Sequence, residues 1–270
     1  MGPAKLAWEV DGPPEGLPLV LLHGSPTDRR VWAPQMAELA SAGYRVVAAD
    51  LRGHGQSPLG EGPSTPEAMA QDVLTLADEL DLRSFVLGGF SYGGWVAFEV
   101  LRQAPARLAG LLLVSTGAQP DTPKERAARP AQAQAVRRDG VNPDGYRDRV
   151  LTPETLRSRP EVWAAAREAM ASVSAEGRAR AIEGMALRRD ARPLLPGVKV
   201  PTLVIVGAED PVTPPAEAKE IHRLVPGSFL QEVEGASHLV TLEAPGIVSQ
   251  AILNWLAFSG LAPDAPSGAA

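Results

Sequence analysis

The chain has no cysteine among its 270 residues, and this absence removes several kinds of chemistry at once. Without thiols there is no disulfide bond, no thiolate metal ligand and no cysteine nucleophile. Histidine is also scarce, so imidazole chemistry must use one of four residues: His23, His54, His222 or His238. A chain without cysteine is compatible with a reducing compartment, and we expect the protein to be cytoplasmic.

Basic clusters and long apolar runs are missing as well. The formal net charge is −6 at pH 7, and no segment concentrates lysine and arginine, so we expect no nucleic-acid partner. No apolar run approaches the roughly 18 residues of a membrane span. The first ten residues do not show the charged start and apolar core of a signal peptide. We therefore expect no membrane partner.

The pentapeptide G-F-S-Y-G at residues 89–93 is the most informative motif. A short apolar run at residues 85–87 precedes it, and a stretch of helical length at residues 94–101 follows. A G-x-S-x-G between a strand and a helix is typical of a nucleophile elbow, a turn so sharp that the serine hydroxyl is exposed. Ser91 is therefore the candidate nucleophile; an incidental serine in a glycine-rich turn is the competing interpretation.

A serine hydroxyl needs a base that removes its proton. His238 lies in a loop after the strand-like residues 229–233, and such loops are where α/β folds place their chemistry. His23 and His54 lie in glycine-containing turns, and His222 lies in a predicted helix. His238 is the predicted base.

The imidazole in turn needs a carboxylate that fixes its tautomer and stabilises its charged form. The strongly β-branched residues 203–206 predict a central strand. Glu209 and Asp210 follow the carboxyl end of that strand. We prefer Asp210, although adjacent carboxylates are hard to separate by sequence. A structural role for Asp210, as the cap of a helix beginning near Pro214, is the alternative.

An oxyanion hole requires backbone N–H groups aimed at the charge that forms on a carbonyl oxygen. One donor is expected to be the amide of Tyr92, the residue after the nucleophile. The second is expected in the turn H-G-S-P at residues 23–26. There Gly24 lets the backbone approach closely, and Pro26 narrows the conformations of Ser25. We assign the second donor to the amide of Ser25.

Several blocks of sequence together resemble the small, single-chain members of the α/β-hydrolase superfamily that carry a helical cap. The blocks are H-G-S-P at 23–26, D-L-R-G-H-G-Q-S at 50–57, G-F-S-Y-G-G at 89–94, and G-A-E-D at 207–210 with G-A-S-H at 235–238. The order Ser91, Asp210, His238 is the order of nucleophile, acid and base in this family. The resemblance implies structural roles for Arg52 and His54. Serine at 91 argues against relatives with aspartate there, the haloalkane dehalogenases and epoxide hydrolases, and against the cysteine-based dienelactone hydrolases.

Alternating strand and helix patterns predict an α/β fold, with a mostly parallel central sheet flanked by helices. From about residue 119 to 197 the β-branched runs stop, and alanine- and arginine-rich helical stretches take their place. We predict an α/β-hydrolase core at residues 1–118 and 198–259, a helical cap insertion at 119–197, and a disordered tail at 260–270. Such a cap would cover the carboxyl edge of the sheet and wall a pocket.

Two sets of residues in the cap are candidates for contact with substrate. Trp163, Met170 and Met185 are candidate lining residues, and packing within the cap is the simpler interpretation of each. Four arginines are candidates for binding a substrate carboxylate: Arg137, Arg138, Arg188 and Arg189. A solvated charge on a helix face is the simpler interpretation of each arginine.

Together these residues predict a serine hydrolase that cleaves a carboxylic ester or lactone through an acyl-enzyme, with no cofactor and no metal. The expected partner is a small-molecule ester or lactone substrate, and the oligomeric state stays open. The cap and residues 190–214 resemble enol-lactonases, such as the 3-oxoadipate enol-lactonases. The same triad also serves carbon–carbon bond hydrolases, perhydrolases and aminopeptidases, and a non-hydrolytic receptor or lyase is the alternative of another class.

Overall fold

One seven-stranded sheet forms the centre of the structure, a computed structural model that describes residues 2–62 and 64–263. In chain order the strands are β1 (Trp8–Asp11), β2 (Pro18–Leu22), β3 (Arg45–Ala49), β4 (Phe85–Phe90), β5 (Leu108–Val114), β6 (Thr202–Gly207) and β7 (Phe229–Val233). Their order across the sheet is β1-β3-β2-β4-β5-β6-β7. β1 pairs antiparallel with β3, and the other neighbours pair in parallel. The predicted α/β fold is confirmed.

Helices connect the strands and fill the long connection between β5 and β6. They are α1 (Ala33–Ser41), α2 (Pro66–Glu79), α3 (Tyr92–Gln103), α4 (Pro123–Asp139), α5 (Arg147–Val150), α6 (Pro153–Ser158), α7 (Pro160–Ala171), α8 (Ala175–Met185), α9 (Pro215–Leu224), α10 (Val240–Glu243) and α11 (Pro245–Phe258). Short 3₁₀ turns lie at Arg29–Trp32, Pro105–Arg107, Pro143–Gly145 and Arg192–Gly197. The sequence patterns did not predict α5, α6 and α10, because segments of four to six residues show too little periodicity.

The inner strands β2 to β6 are buried on both faces, as expected when helices cover a parallel sheet on each side. In β2, Val20 and Leu22 pack into one buried cluster, and Leu19 and Leu21 pack into another. The first cluster includes residues of α2, α3 and α9, and the second includes residues of α1 and α11. This two-sided burial fixes the carboxyl ends of β4, β6 and β7, from which the candidate site is built.

The segment predicted as a cap folds into α4 to α8, between β5 and β6. Ser174 caps α8, since its side-chain oxygen accepts the Gly177 amide at 3.0 Å. A small apolar cluster joins α4 to α8 through Ala133, Ala179 and Ile182. These contacts hold α8 as one wall of the space above Ser91.

The end of the chain differs in part from the predicted disordered tail. That tail was placed from Gly260 onward, but Leu261 packs against the core, and its amide donates to the Leu256 carbonyl at 2.9 Å. The rest of the prediction, residues 264–270, lies outside the described residues. Within the described part of the chain, no helix is both long enough and apolar enough to cross a membrane.

Candidate active site

Ser91 lies in a sharp turn between β4 and α3. Its backbone has φ 51° and ψ −111°, and a positive φ is rare for a residue with a side chain. Two glycines make the turn sterically possible: a Cβ on Gly89 would lie 2.4 Å from the Gly93 carbonyl oxygen, and one on Gly93 would lie 2.5 Å from that of Leu22. The Ser91 amide donates to the Val114 carbonyl at 2.8 Å, which ties the turn to β5.

Side chains that follow β4, β6 and β7 form a hydrogen-bonded series at the carboxyl edge of the sheet. His238 Nε2 lies 3.1 Å from Ser91 Oγ, and His238 Nδ1 lies 2.8 Å from Asp210 Oδ2. An ionised carboxylate only accepts hydrogen bonds, so we assign the proton to Nδ1, and Nε2 can then accept from the Ser91 hydroxyl. The structure therefore brings together the three residues predicted as nucleophile, acid and base, whereas Glu209 is exposed.

The Asp210 carboxylate is fully buried and held from several sides. Its Oδ1 accepts the amides of Val212 at 2.8 Å and Thr213 at 2.9 Å, and its Oδ2 accepts the Thr213 hydroxyl at 2.7 Å. Burial alone would raise the pKa of Asp210, but the charge and hydrogen bond of His238 and the hydrogen bonds of Thr213 hold it below its ordinary value. Thr213 was not predicted, and its only sequence signal is a hydroxyl three residues after the acid.

The two predicted oxyanion donors flank Ser91 on different elements. Tyr92 is the first residue of α3, so its amide has no acceptor within the helix. Gly24 brings the other turn close, since a Cβ there would lie 3.1 Å from Ser91 Cβ. Ser25 therefore lies beside the nucleophile, and both it and Tyr92 line the same cavity.

Ser25 also belongs to a second serine–histidine pair. Its Oγ lies 2.7 Å from His54 Nε2, and His54 Nδ1 lies 3.0 Å from the Arg52 carbonyl oxygen. A carbonyl accepts, so Nδ1 carries the proton and Nε2 accepts from the Ser25 hydroxyl. Burial, together with the charge of His23, lowers the pKa of His54 to about 3. His54 is therefore neutral at ordinary pH.

The other two histidines do not bond to Ser91. His23 Nδ1 donates to the Gly24 carbonyl at 2.6 Å, and its Nε2 accepts the Leu51 amide at 2.9 Å. Burial lowers the pKa of His23 as well. His222 is exposed on α9, and its Nδ1 lies 2.9 Å from Ser228 Oγ.

A cavity of about 580 Å³ lies above Ser91, between the sheet edge and the helical segment. This volume suits a small molecule. The helical segment contributes both apolar and charged side chains to the wall, and the apolar ones include Val136, Val150, Met170, Ile182 and Met185. Two of the predicted lining residues, Met170 and Met185, are in that wall. Trp163 is not, because it lies in a separate surface depression beside Leu156 and Pro160.

The sequence and the fold both match known proteins. The family model described as alpha/beta hydrolase fold matches residues 18–245. The chain belongs to the α/β-hydrolase family. It is 31% identical over 236 residues to 3-oxoadipate enol-lactonase 2 of Acinetobacter baylyi, a match that covers 87% of this chain and 86% of that protein. The predicted superfamily is confirmed.

Two solved structures are similar to this α/β-hydrolase. A thermophilic esterase from Thermogutta terrifontis, with malate bound, has 41% identity and a TM-score of 0.91, and the match covers 95% of this chain and 94% of that one. The enol-lactonase from Burkholderia xenovorans LB400 has 30% identity and a TM-score of 0.86, with 94% and 97% of the two chains covered.

Of the four candidate arginines of this α/β-hydrolase, Arg188 lines the cavity. Its guanidinium lies 3.7 Å from the centre of the Trp95 ring and 3.2 Å from the Asp121 carboxylate. The other three are engaged elsewhere: Arg137 with Glu176 and Glu183, Arg138 with Asp139, and Arg189 with Glu99. Arg137 and Arg138 lie on α4 as helix-face charges, whereas Arg189 lies in the irregular segment after α8. Their ion pairs fit structural charges better than a role in anion binding.

Sequence reasoning missed Arg178, a buried arginine in the cavity wall. A signal was present in α8. Residues 178, 181, 182 and 185 share one helical face, and Ala181, Ile182 and Met185 on that face are buried. An arginine in line with an apolar stripe is directed toward the interior, unlike Arg180, the other arginine of this helix, which is half-buried and pairs with Glu176.

Proposed function

We propose that this α/β-hydrolase cleaves a carboxylic ester or lactone through an acyl-enzyme on Ser91. The observation that carries the proposal is the continuous series from Ser91 Oγ through His238 to Asp210, at 3.1 Å and 2.8 Å, at the floor of a cavity of about 580 Å³. A nucleophile, a base and an orienting acid in this geometry perform acyl transfer.

In the proposed acylation step, His238 Nε2 takes the hydroxyl proton as Ser91 Oγ attacks the substrate carbonyl carbon. The amides of Ser25 and Tyr92 donate to the oxyanion of the tetrahedral intermediate. The intermediate collapses to the acyl-enzyme, and the alcohol oxygen leaves with the proton held by His238. The Asp210 carboxylate stabilises the transient imidazolium.

Deacylation repeats this sequence with water as the nucleophile. His238 takes a proton from the water as it attacks the acyl carbon, and returns the proton to Ser91 Oγ when the second intermediate collapses. The products are a carboxylic acid and a free serine. For a lactone, the alcohol and the acid are parts of one hydroxy acid.

Two further findings support an ester or lactone substrate. The relatives named above include an enol-lactonase and an esterase, and the matches cover most of each chain. Part of the cavity wall is apolar, with Val136, Met170 and Met185 among its side chains, and this part suits an acyl chain or a lactone ring.

The test is a panel of short acyl esters and lactones combined with covalent labelling by a serine-reactive phosphonate. We expect hydrolysis of part of the panel, a single phosphonate adduct by intact mass, and its assignment to the peptide that contains Ser91. An adduct on another residue, or absence of hydrolysis across the panel, would contradict the proposal.

A further inference from the structure

Arg178 is a buried cation in the wall of the cavity, with 7% of its surface exposed. Its Nη1 donates to Ser25 Oγ at 2.8 Å, and its Nη2 donates to the Tyr146 hydroxyl at 3.2 Å. Its Nε is buried and has no hydrogen-bond partner. A guanidinium has five N–H donors, so Arg178 retains donors for a ligand.

The neighbours of Arg178 do not balance its charge. Ser25 and Tyr146 are neutral hydroxyl groups, and His54 beyond Ser25 is neutral because burial lowers its pKa to about 3. Within residues 2–62 and 64–263, no carboxylate forms an ion pair with Arg178.

Two other arginines of the same cavity wall differ from Arg178 in this respect. Arg129 and Arg188 both pair with the buried Asp121 carboxylate, at 2.8 Å and 3.2 Å. Burial of a charge costs free energy of desolvation, and a partner of opposite charge offsets part of that cost, so an unpaired buried charge is the more costly case. Arg149 also lines the cavity, but it is exposed to solvent. Among the described residues of the wall, Arg178 is therefore the buried arginine without a carboxylate partner, and an anionic ligand would stabilise it.

The position of α8 holds this guanidinium in place before any ligand binds. A Cβ on Gly177 would lie 1.9 Å from the Gly53 carbonyl oxygen, and one on Gly184 would lie 1.9 Å from the Ser64 carbonyl oxygen. The helix therefore rests directly against two loops of the core at both of its ends. Arg178, between these contacts, is preorganised beside Ser25.

We propose that Arg178 binds a carboxylate of the substrate, so that the favoured substrates are esters or lactones that carry a free carboxylate remote from the scissile carbonyl. This inference rests on the function proposed above. The planar guanidinium suits a carboxylate, because it can donate two parallel hydrogen bonds from an enclosed site. Because Arg178 bonds to Ser25, which lies beside Ser91, one small diacid monoester can reach both groups.

The experiment compares two aryl esters that differ in one charge: the aryl monoester of glutaric acid, and the same ester with its far carboxyl methylated. Wild-type protein should have the higher kcat/KM for the charged ester. Arg178→Gln should lower the ratio of the two kcat/KM values by about tenfold or more, mainly through KM of the charged ester. Arg178→Lys should retain part of the preference for the charged ester, because lysine keeps the positive charge but cannot donate two parallel hydrogen bonds to a carboxylate.

Arg180→Gln is the matched control. Arg180 lies on the same helix, pairs with Glu176 at 2.8 Å and is not part of the cavity lining, so its loss removes the same charge without touching the site. The ratio should stay at the wild-type value in this variant. If Arg178→Gln lowers the rates for both esters equally, Arg178 only holds Ser25 in position and the inference is wrong.

A binding measurement separates failure of this inference from failure of the proposed function. Glutarate should raise the Tm of wild-type protein and of Arg180→Gln, but not of Arg178→Gln, and glutaramide should raise none of them. This result needs no turnover, so it would stand even if neither ester were hydrolysed. Equal stabilisation of all three proteins by glutarate, or of none, would overturn the role of Arg178.

Discussion

Two serine hydroxyls line the same cavity, and each is hydrogen-bonded to the Nε2 of a histidine. The Ser25–His54 pair is the shorter, at 2.7 Å, and the Ser91–His238 pair is 3.1 Å long. Distance alone would therefore favour Ser25–His54 over the pair that we propose as nucleophile and base.

The groups on the far side of each imidazole distinguish the two pairs. His238 Nδ1 donates to the buried carboxylate of Asp210, whereas His54 Nδ1 donates to the carbonyl of Arg52. A carboxylate stabilises a protonated imidazole and a carbonyl oxygen does so far less, and the pKa of His54 is lowered to about 3. We therefore expect a buried Ser–His pair to act as nucleophile and base only where a carboxylate is hydrogen-bonded to the other nitrogen of the imidazole.

The largest expected effect separates the two serines. Ser91→Ala should lower ester turnover by about four orders of magnitude or more, since it removes the proposed nucleophile. Ser25→Ala keeps the backbone amide and should cost about tenfold or less. Steady-state kinetics on one activated ester measures both.

The two serine variants need a folding control. The free energy of unfolding of Ser91→Ala should stay close to that of wild type, because the elbow hydroxyl holds little of the structure together. Retention of most activity by Ser91→Ala, or equal losses in both variants, would remove the distinction between the pairs.

The next largest effect tests the Asp210 carboxylate as the counter-charge of the His238 imidazolium. Asp210→Asn should lower kcat by about 10³- to 10⁴-fold, because an amide cannot stabilise the imidazolium and favours the wrong tautomer of His238. Glu209→Gln is the matched control, because Glu209 is the exposed neighbour, and it should retain nearly full activity. A severe loss in Glu209→Gln with a mild one in Asp210→Asn would move the acid by one residue.

The smallest expected effect concerns stability against pH. Between its folded pKa of about 3 and the ordinary value of 6.5, His54 is neutral in the folded protein and binds a proton when the chain unfolds. The free energy of unfolding should therefore fall as pH falls through this range, by at most about 1.4 kcal/mol per pH unit for this group.

His54→Gln should make that dependence shallower in denaturant titrations between pH 4 and 6.5. His23, whose pKa burial also lowers, should keep part of the slope. Equal slopes in wild type and His54→Gln would show that His54 does not stay neutral in the fold.

Much of the fold could be predicted from the sequence, because the sequence patterns of strands and helices are local. The β-branched run at residues 203–206 lies within β6, and the strand-like residues 229–233 coincide with β7. The elbow at Ser91 could also be predicted from a local signal, because two glycines within five residues indicate a close approach of backbones. The short helices α5, α6 and α10 were missed, since their positions depend on packing rather than on periodicity.

The sequence by itself determined the strands, the long helices and the elbow, because hydrophobic periodicity and glycine spacing act over a few residues. Only the tertiary structure showed which histidine is hydrogen-bonded to a carboxylate. It also showed that this carboxylate, buried against His238, belongs to Asp210 and not to Glu209. It alone also placed Arg178 against Ser25, 153 residues away in the chain. The burial of a side chain, the partners that compensate its charge and the proton positions on an imidazole depend on several elements packed together. No local stretch of sequence can therefore predict them.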